Sequence, residues 1–336
     1  MTVITVNDTL SADRALRLID RGSTLVWDGD FQNAKQLLAA LGRRVPPAES
    51  GSSFQEQRRR QARRVQVLNS LLIATHDHAI HLRRAPDVRQ ACLEAYGPAD
   101  GERLVPLREL LGIIGAHQLR LEGVQVSALG ARIHPHYGVF APTRSEYVDL
   151  VGDCPLPHPA VAFDIGTGTG VLAAVLARRG VPRIVATDNS VRAVECARDN
   201  VRMLGLQRRV TVVETDLFPS GRADLVVCNP PWIPARPITP LDHAVYDEDG
   251  RMLHGFFGQV RDHLNPDGEV WLVLSDLAEH LGLRSRAELL DGFQYAGLRV
   301  AGRTDVVPRH GRARDYEVTS LWRLCPSGRS PFVERA

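Results

Sequence analysis

The residues with the clearest chemical potential are Asn-Pro-Pro-Trp at 229–232, directly after an apolar run at 225–228 that is typical of a buried strand. The two prolines fix φ and remove two backbone donors. The groups left to point outward are acceptors, namely the Asn229 side-chain oxygen and the Pro230 carbonyl. Two acceptors at one place suit an –NH2 group, which has two hydrogens to donate. Trp232 adds a flat face for a planar amide or base.

A glycine-rich turn forms the second chemical pattern, Asp-Ile-Gly-Thr-Gly-Thr-Gly at 164–170. Glycines where a first strand meets a first helix form a tight turn and let a ligand approach the backbone. The dinucleotide fingerprint is G-x-G-x-x-G. If it started at Gly166 or Gly168, its third glycine would fall on Val171 or Ala173, so the sequence disfavours a nicotinamide dehydrogenase. No Lys-Ser or Lys-Thr pair follows, so the turn is not a phosphate-binding P-loop.

Two aspartates stand at the ends of the next two predicted strands. Asp188 can accept hydrogen bonds from both hydroxyls of a ribose. Asp216 is followed by Leu217 and Phe218, a setting that suits an exocyclic amine over an adenine ring. Either aspartate alone could simply cap a turn. Side chains at the ends of successive parallel strands meet at one edge of the sheet. We therefore predict a nucleotide-like pocket at this edge, beside the two acceptors of Asn229 and Pro230, which we call the –NH2 clamp.

Strand and helix patterns alternate from Ala160 onward. Single helices between strands predict an α/β fold with a Rossmann-like, doubly wound, mostly parallel seven-stranded sheet. The last two strands are separated only by a short turn, which makes one strand antiparallel. The predicted strands are 161–165, 183–187, 210–214, 223–227, 269–274, 299–306 and 317–323.

Residues 1–122 are predicted to form a separate helical N-terminal domain. The proposed helices are 11–20, 30–41, 54–81, 86–96 and 107–114. An alternating pattern from Val124, broken by glycines and a proline, predicts a β-hairpin. The second domain, 123–336, therefore comprises this hairpin and the α/β sheet, and a chain of 336 residues is long enough for two domains.

Composition excludes several classes of protein. We find no apolar run of about 18 residues that would span a membrane, and no signal peptide at the N-terminus. Five scattered cysteines without a CxxC motif favour free thiols in a reducing cytoplasm. The formal charge of +2 gives no general attraction to nucleic acid.

Three weaker clusters offer alternatives. His76, His78 and His81 lack a matching carboxylate cluster, so we expect no metal site. Arg58–Arg64 could hold RNA phosphates, although an exposed arginine-rich helix face explains it more simply. The arm at 235–250 could cover the acceptor or supply a general base. Its polar residues include Asp242, His243, Tyr246 and Asp247.

Taken in order, these motifs resemble class I S-adenosylmethionine-dependent methyltransferases of the branch that methylates nitrogen. Asn-Pro-Pro-Trp-Ile-Pro at 229–234 most resembles the HemK/PrmC-like protein-glutamine methyltransferases and the methyltransferase small domain family. The resemblance runs from about residue 124 to the end. It departs at Trp232, where that family usually has tyrosine, and in the arm after Pro234.

The resemblance implies S-adenosylmethionine as cofactor and S-adenosylhomocysteine as product. The glycine turn would hold the methionine part, Asp188 the ribose, and Asp216 with Leu217 the adenine. The catalytic residues would position the acceptor nitrogen for in-line attack and stabilise its developing charge. The implied catalytic residues are Asn229, Pro230 and Trp232. The implied cofactor-binding residues are Asp164, Gly166, Thr167, Gly168, Gly170, Asp188, Asn189, Asp216, Leu217 and Asn229.

Three classes of methyl acceptor remain open: a protein glutamine, a base amine of ribosomal or transfer RNA, and a small metabolite. We place the protein glutamine first. The near-neutral charge argues against a large RNA footprint, and a large N-terminal domain favours recognition of a macromolecule. A non-enzymatic module that only binds S-adenosylmethionine would be expected to have lost glycines or the Asn-Pro-Pro motif, and both are intact.

Overall fold

The computed structural model describes residues 2–48, 52–99, 101–238, 245–308 and 317–328. The chain divides into two compact units, residues 1–119 and 120–336. Within the described ranges, no helix is long and apolar enough to cross a membrane. All five cysteines are free thiols.

Unit 1 is built on a four-stranded sheet. The strand order is β1-β2-β3-β4; the first three strands are parallel, and β4 is antiparallel to β3. The strands are β1 (Thr2–Val6), β2 (Ser23–Trp27), β3 (Leu71–His76) and β4 (Glu102–Pro106). The helices are α1 (Ala12–Asp20), α2 (Phe31–Arg44), α3 (Phe54–Asn69), α4 (Arg89–Tyr96) and α5 (Leu107–Glu122), the last of which continues into unit 2.

The prediction of a helical N-terminal domain needs correction, because unit 1 combines helices with this sheet. β1 reads Thr-Val-Ile-Thr-Val, whose β-branched side chains favour a strand. The helix predicted over 54–81 ends at Asn69, and the apolar run that follows becomes β3. A short apolar run fits a buried strand as well as a buried helix, so periodicity could not decide. His76 therefore ends a strand.

Unit 2 confirms the predicted α/β sheet. Its seven strands are ordered β12-β13-β11-β10-β7-β8-β9. Every neighbouring pair is parallel except those of β13, which is antiparallel to both neighbours. The strands are β7 (Val161–Ile165), β8 (Arg183–Asp188), β9 (Val210–Glu214), β10 (Ala223–Cys228), β11 (Leu264–Ser275), β12 (Leu298–Val306) and β13 (Thr319–Pro326).

The predicted hairpin is also present, as the short antiparallel strands β5 (Val124–Val126) and β6 (Ala131–Ile133). Helices cover both faces of the large sheet, and each face has its own apolar core. One core takes side chains from α6 (Glu146–Asp153), α7 (Val171–Arg178) and α8 (Val191–Met203). The other takes them from α9 (Arg251–Gln259) and α11 (Arg286–Tyr295); the short α10 (Leu277–His280) follows β11.

The strand order places a topological switch point between β7 and β10. From β7 the chain builds β8 and β9 on one side, and then β10 and β11 on the other. In open α/β sheets, ligands bind in the crevice outside the carboxyl ends of the strands at such a point. The glycine turn follows β7, and Asn-Pro-Pro-Trp follows β10, so the topology brings both predicted motifs to this crevice.

Candidate active site

A cavity of about 1010 Å³ lies at the carboxyl ends of β7 to β10. Its walls come from the segment before α6, the ends of these strands, and α9. It brings together most of the predicted site residues: Asp164, Gly166, Thr167, Gly168, Asp188, Asn189, Asp216, Leu217 and Asn229. The remaining predicted residues, Gly170, Pro230 and Trp232, are not among the described residues that line it.

Glycine is needed at two positions of the turn for different physical reasons. Gly168 has a φ of 55°, and a Cβ added there would meet no protein atom within 4 Å, so its backbone is open to the cavity. Gly170 has a φ of 81°, and a Cβ there would lie 3.3 Å from Ala197 Cα. Both backbones adopt left-handed conformations that favour glycine. Gly168 thus leaves room for a ligand, whereas Gly170 allows the turn to pack closely on α8.

Asp164 is a buried carboxylate at the end of β7. Its Oδ2 accepts hydrogen bonds from Thr167 Oγ1 at 2.6 Å and from the Ala173 backbone N–H at 3.0 Å. Burial raises the pKa of Asp164 to about 6, and the nearby charge of Asp188 adds to the shift. Its Oδ1 makes no hydrogen bond to a described residue, and Asp164 lines the cavity. This oxygen is therefore available to a cationic group of a ligand.

Asp188 connects the end of β8 to the glycine turn. One carboxylate oxygen accepts from the Gly168 backbone N–H at 3.0 Å, and the other accepts from the Ser190 N–H at 3.0 Å. Burial raises the pKa of this carboxyl, while the backbone hydrogen bonds act in the opposite direction. Asp188 lines the cavity, and carboxylate oxygens can accept further hydrogen bonds, so this side chain could hold two hydroxyls of a ribose.

Leu217 occupies an unusual backbone conformation after β9. Its φ is +60°, and such left-handed geometry costs a non-glycine residue roughly 1–3 kcal/mol. The buried Thr187 hydroxyl donates to the Leu217 carbonyl at 2.6 Å and holds the strained turn. Asp216 beside it is exposed, lines the cavity, and makes no hydrogen bond to a described residue. Sequence reasoning missed Thr187, because only the fold places it opposite this turn.

Asn229 and Trp232 form a local pair. The Trp232 Nε1–H donates to Asn229 Oδ1 at 2.9 Å, and the indole packs against the apolar cores on both faces of the sheet. Because an indole N–H only donates, this bond fixes which end of the carboxamide is oxygen. The oxygen retains a second lone pair, and Asn229 lines the cavity. In this structure Trp232 therefore orients Asn229, and its ring does not form the flat wall predicted for the acceptor.

Replacing Trp232 by phenylalanine is expected to lower kcat about five- to tenfold, the effect of losing one hydrogen bond that positions a reacting group. Cofactor affinity should stay unchanged, since Trp232 lies outside the cavity lining. Steady-state kinetics and calorimetry measure the two quantities separately. Trp271→Phe is the matched control, because Trp271 also donates its indole N–H, to buried Glu269 at 2.8 Å. An equal loss of kcat in both variants would refute the positioning role.

Backbone hydrogen bonds join the two ends of the arm after Pro234. The Ile233 N–H donates to the Val245 carbonyl at 3.0 Å, and the Asp247 N–H donates to the Ile233 carbonyl at 2.8 Å. The Asp247 carboxylate accepts from backbone N–H groups of the first turn of α9, including that of Met252 at 2.9 Å. Asp247 thus satisfies free N–H groups in the first turn of α9, whose N-cap residue is Gly250. Asp242 and His243 lie outside the described residues.

Acidic side chains outnumber basic ones in the cavity. Among its described lining residues, five are acidic and one, Arg251, is basic. The acidic residues are Asp164, Asp188, Asp216, Asp247 and Glu248. Such a cavity attracts cations and repels polyanions. In the described parts of the chain, no group of three or more His, Cys, Asp or Glu side chains is arranged to hold a metal ion.

The fold and the site together define a class I methyltransferase. The seven-stranded sheet with one antiparallel strand, the glycine turn after its central strand and the Asn-Pro-Pro motif at the switch point all agree with this class. A family model described as "Methyltransferase small domain" matches residues 132–294. The chain belongs to this family of S-adenosylmethionine-dependent methyltransferases, and it is an enzyme of that type.

Curated relatives agree with this assignment. A release factor glutamine methyltransferase of Mycolicibacterium smegmatis is 30% identical over 210 residues, which cover 60% of this chain and 68% of the relative. A protein of the same name from Geobacter sulfurreducens is 34% identical and covers 41% of this chain and 54% of the relative. A ribosomal protein L11 methyltransferase of Chelativorans is 34% identical, covering 55% of this chain and 57% of the relative. The chain thus spans little more than half the length of the last two.

Proposed function

We propose that this enzyme transfers the methyl group of S-adenosylmethionine to the side-chain amide nitrogen of a protein glutamine. The observation that carries the proposal is Asn229, whose carboxamide oxygen is oriented by Trp232 at the edge of the cavity that holds the glycine turn. An oriented acceptor of this kind suits the –NH2 group of a primary amide.

The cavity residues fit the cofactor of the family. Gly168 leaves space and bare backbone beside the turn, Asp188 can hold ribose hydroxyls, and Asp164 offers Oδ1 to an ammonium group. Exposed Asp216 and strained Leu217 at the far wall suit the adenine. The excess of acids also favours a sulfonium cation over the uncharged thioether of the product.

The cofactor, when bound, supplies a methyl group already activated by its positive sulfur. The remaining task of the chain is to orient the acceptor nitrogen. Asn229 Oδ1, which lines the cavity, would accept one amide hydrogen and so direct the nitrogen towards the methyl group, and the resemblance implies the Pro230 carbonyl as the acceptor of the other hydrogen. As the nitrogen would bond to the methyl carbon, the carbon–sulfur bond would break with its electron pair left on sulfur, and the nitrogen would then lose one proton to solvent. The fixed acceptors bind the positive charge that develops on nitrogen more strongly than they bind the ground state, which lowers the barrier.

The character of the cavity supports a protein acceptor over nucleic acid. An RNA strand would bring phosphates to a cavity lined by five acids and one arginine. Two of the relatives are named for a release factor, and a third is named for a ribosomal protein. We further propose that residues 1–122 recognise this acceptor protein.

The direct test is tritiated methyl transfer from S-adenosylmethionine. The purified enzyme is incubated separately with peptide release factors, ribosomal protein L11 and bulk RNA, and the labelled residue is identified by mass spectrometry. Label on a glutamine amide nitrogen of a release factor is the expected result. Label on L11 amines, on RNA, or in a small-molecule fraction only would contradict the proposal.

Cofactor binding should depend on pH through Asp164. Because the raised pKa of about 6 exceeds the ordinary 3.8, protonated Asp164 stabilises the free protein, and this stability is lost as pH rises from about 4 through 6. A ligand ammonium needs the ionised form. The affinity for S-adenosylhomocysteine should therefore fall about tenfold for each pH unit below 6 and level off above it. The raised pKa of Asp188 acts in the same direction.

Calorimetry between about pH 4.5 and 8, a range that brackets these titrations, measures this dependence. Asp164→Asn is the control, because it removes the titrating group with little change in shape. An affinity in the wild-type enzyme that stays constant across pH 6 would contradict the assignment of Asp164 to the ammonium group.

A further inference from the structure

The four-stranded sheet of unit 1 has its helices on one face. Its strand order, β1-β2-β3-β4, never reverses along the chain. Right-handed crossovers between parallel strands that advance in one direction place the connecting helices on the same side of the sheet. The helices α1 to α5 all contribute buried side chains to one core, together with the inward side chains of the strands. The large sheet of unit 2, whose order reverses at β7, has an apolar core on each face.

The opposite side of this sheet, here called the outer face, is open and mostly apolar. Strand pairing and alternation place the following side chains on it: Val3, Thr5, Thr24, Val26, Leu72, Ala74, Leu104 and Pro106. The ionisable strand residues of this face are confined to its last row, where His76 lies opposite Glu102. In the described ranges, none of these side chains belongs to the core of unit 1 or packs against it.

The exposure of the outer face is uneven. Val3 is 56% exposed and Leu104 is 48% exposed, at the two edges of the sheet, and Ala74 between them is also exposed. Val26 and Leu72 are half-buried, and Thr24 is buried. Parallel strands occur almost only in sheets that are covered on both faces. Exposed apolar patches mark interaction sites, so this face indicates a covering layer from a second molecule.

Size and charge restrict what this second molecule is. Four strands of about five residues form a face of roughly 19 × 17 Å. Two copies of the chain stacked on this face would bury at most about 1,000 Å², below the about 1,200–2,000 Å² of a stable interface. The area therefore fits a transient complex better than a permanent dimer. Since no arginine or lysine lies on this face of the described strands, it offers no group for RNA phosphates.

We propose that the outer face of unit 1 docks the acceptor protein through an apolar, uncharged helical surface. Helices are the elements that normally cover parallel sheets, and two helices, each about 10 Å wide, would span the four strands. A transient contact of this size lets the methylated product leave. The inference rests on the proposed function, in which the acceptor is a protein. None of the outer-face residues is among the described residues that line the cavity, so docking and chemistry use separate residues.

Isothermal titration calorimetry tests docking directly, with an intact peptide release factor and the enzyme saturated with S-adenosylhomocysteine. Leu104→Asp places a carboxylate against an apolar partner surface and is expected to weaken the affinity at least about tenfold. Val3→Asp, at the other edge of the same face, should have a similar effect. Leu93→Asp is the matched control, because Leu93 is 44% exposed on α4, whose buried side enters the core. It should leave the affinity unchanged.

Methyl transfer provides a second measurement on the same variants. With the intact release factor, KM should rise by the same factor as the dissociation constant in Leu104→Asp and Val3→Asp, while kcat stays constant. With a short peptide that carries the methylated glutamine, neither constant should change. Thermal unfolding without ligand monitors the fold, and a loss of stability alone would alter both substrates equally.

Several results would overturn the docking proposal. They are an equal affinity of Leu104→Asp and Leu93→Asp, and no binding of the intact release factor by the wild-type enzyme. A wild-type dimer that Leu104→Asp dissociates in sedimentation would assign the face to a second copy instead. Binding of bulk RNA that is lost in Leu104→Asp would assign it to nucleic acid.

Failure of docking is distinguishable from failure of the glutamine proposal. If peptide and intact factor are methylated with the same KM, docking is wrong and the glutamine acceptor stands. If the release factor binds with the expected pattern of variants but no glutamine is labelled, the glutamine acceptor is wrong and docking stands.

Discussion

Replacing Asn229 by alanine is expected to lower kcat by about 10²–10³-fold, the range measured when one preorganised transition-state partner is removed. The variant loses the oxygen that Trp232 orients at the edge of the cavity. The acceptor nitrogen is then no longer directed towards the methyl group. The binding of S-adenosylhomocysteine should change little, because Asp188 and the glycine turn remain in place.

Methyl transfer under saturating cofactor, together with calorimetry, separates these two effects. Asn265→Ala is the matched control: its side-chain N–H donates to Asp224 at 2.6 Å, at the amino end of β10. That variant should retain wild-type kcat. Turnover by Asn229→Ala near the wild-type rate would remove the basis for the –NH2 clamp.

Replacing Asp188 by alanine is expected to weaken the binding of S-adenosylhomocysteine at least about a hundredfold. Two hydrogen bonds to a charged carboxylate contribute roughly 1.5–3 kcal/mol each, and both would be lost with the ribose hydroxyls. The same change also frees the Gly168 N–H that the carboxylate holds in position. Cofactor binding thus depends on Asp188 directly and through the shape of the turn.

Asp224→Ala is a matched control for this variant. Its carboxylate likewise accepts two backbone N–H groups, those of Ala160 at 2.9 Å and Val161 at 3.0 Å, but at the opposite edge of the sheet. Both variants should lose stability, which thermal unfolding measures, and only Asp188→Ala should lose affinity. A similar loss of affinity in Asp224→Ala would mean that the effect reports general destabilisation.

Unit 1 shows where sequence reasoning failed. Its helices α1 and α2 lie where the sequence pattern predicts them, at 11–20 and 30–41, and the side chains of Ser11 and Asp30 cap them. The strand β3 was assigned to a helix, because six residues of mostly apolar type have no decisive period. Pairing with β2 and β4, which are distant in the chain, made it a strand.

In the site, the motif positions were predictable because each depends on local geometry. Glycines after a strand form the turn, and prolines after Asn229 fix φ and remove backbone donors, whatever the rest of the chain does. Parallel strands with single crossovers then bring the ends of β7 and β10 to one edge. For this reason the α/β sheet and the position of the crevice followed from residue type and spacing, whereas the methyltransferase class followed from the resemblance of these motifs to a known family.

Directions of side chains across the crevice were decided only by the tertiary structure. The sequence placed Trp232 beside the acceptor, and the packing of its indole on two cores turned it towards Asn229 instead. Likewise, Tyr147 reaches the cavity near Asp164, and Thr187 holds the strained Leu217, only because distant segments meet there. Residue spacing determines what lies at the end of each strand, whereas contacts between segments distant in the chain determine where those groups point.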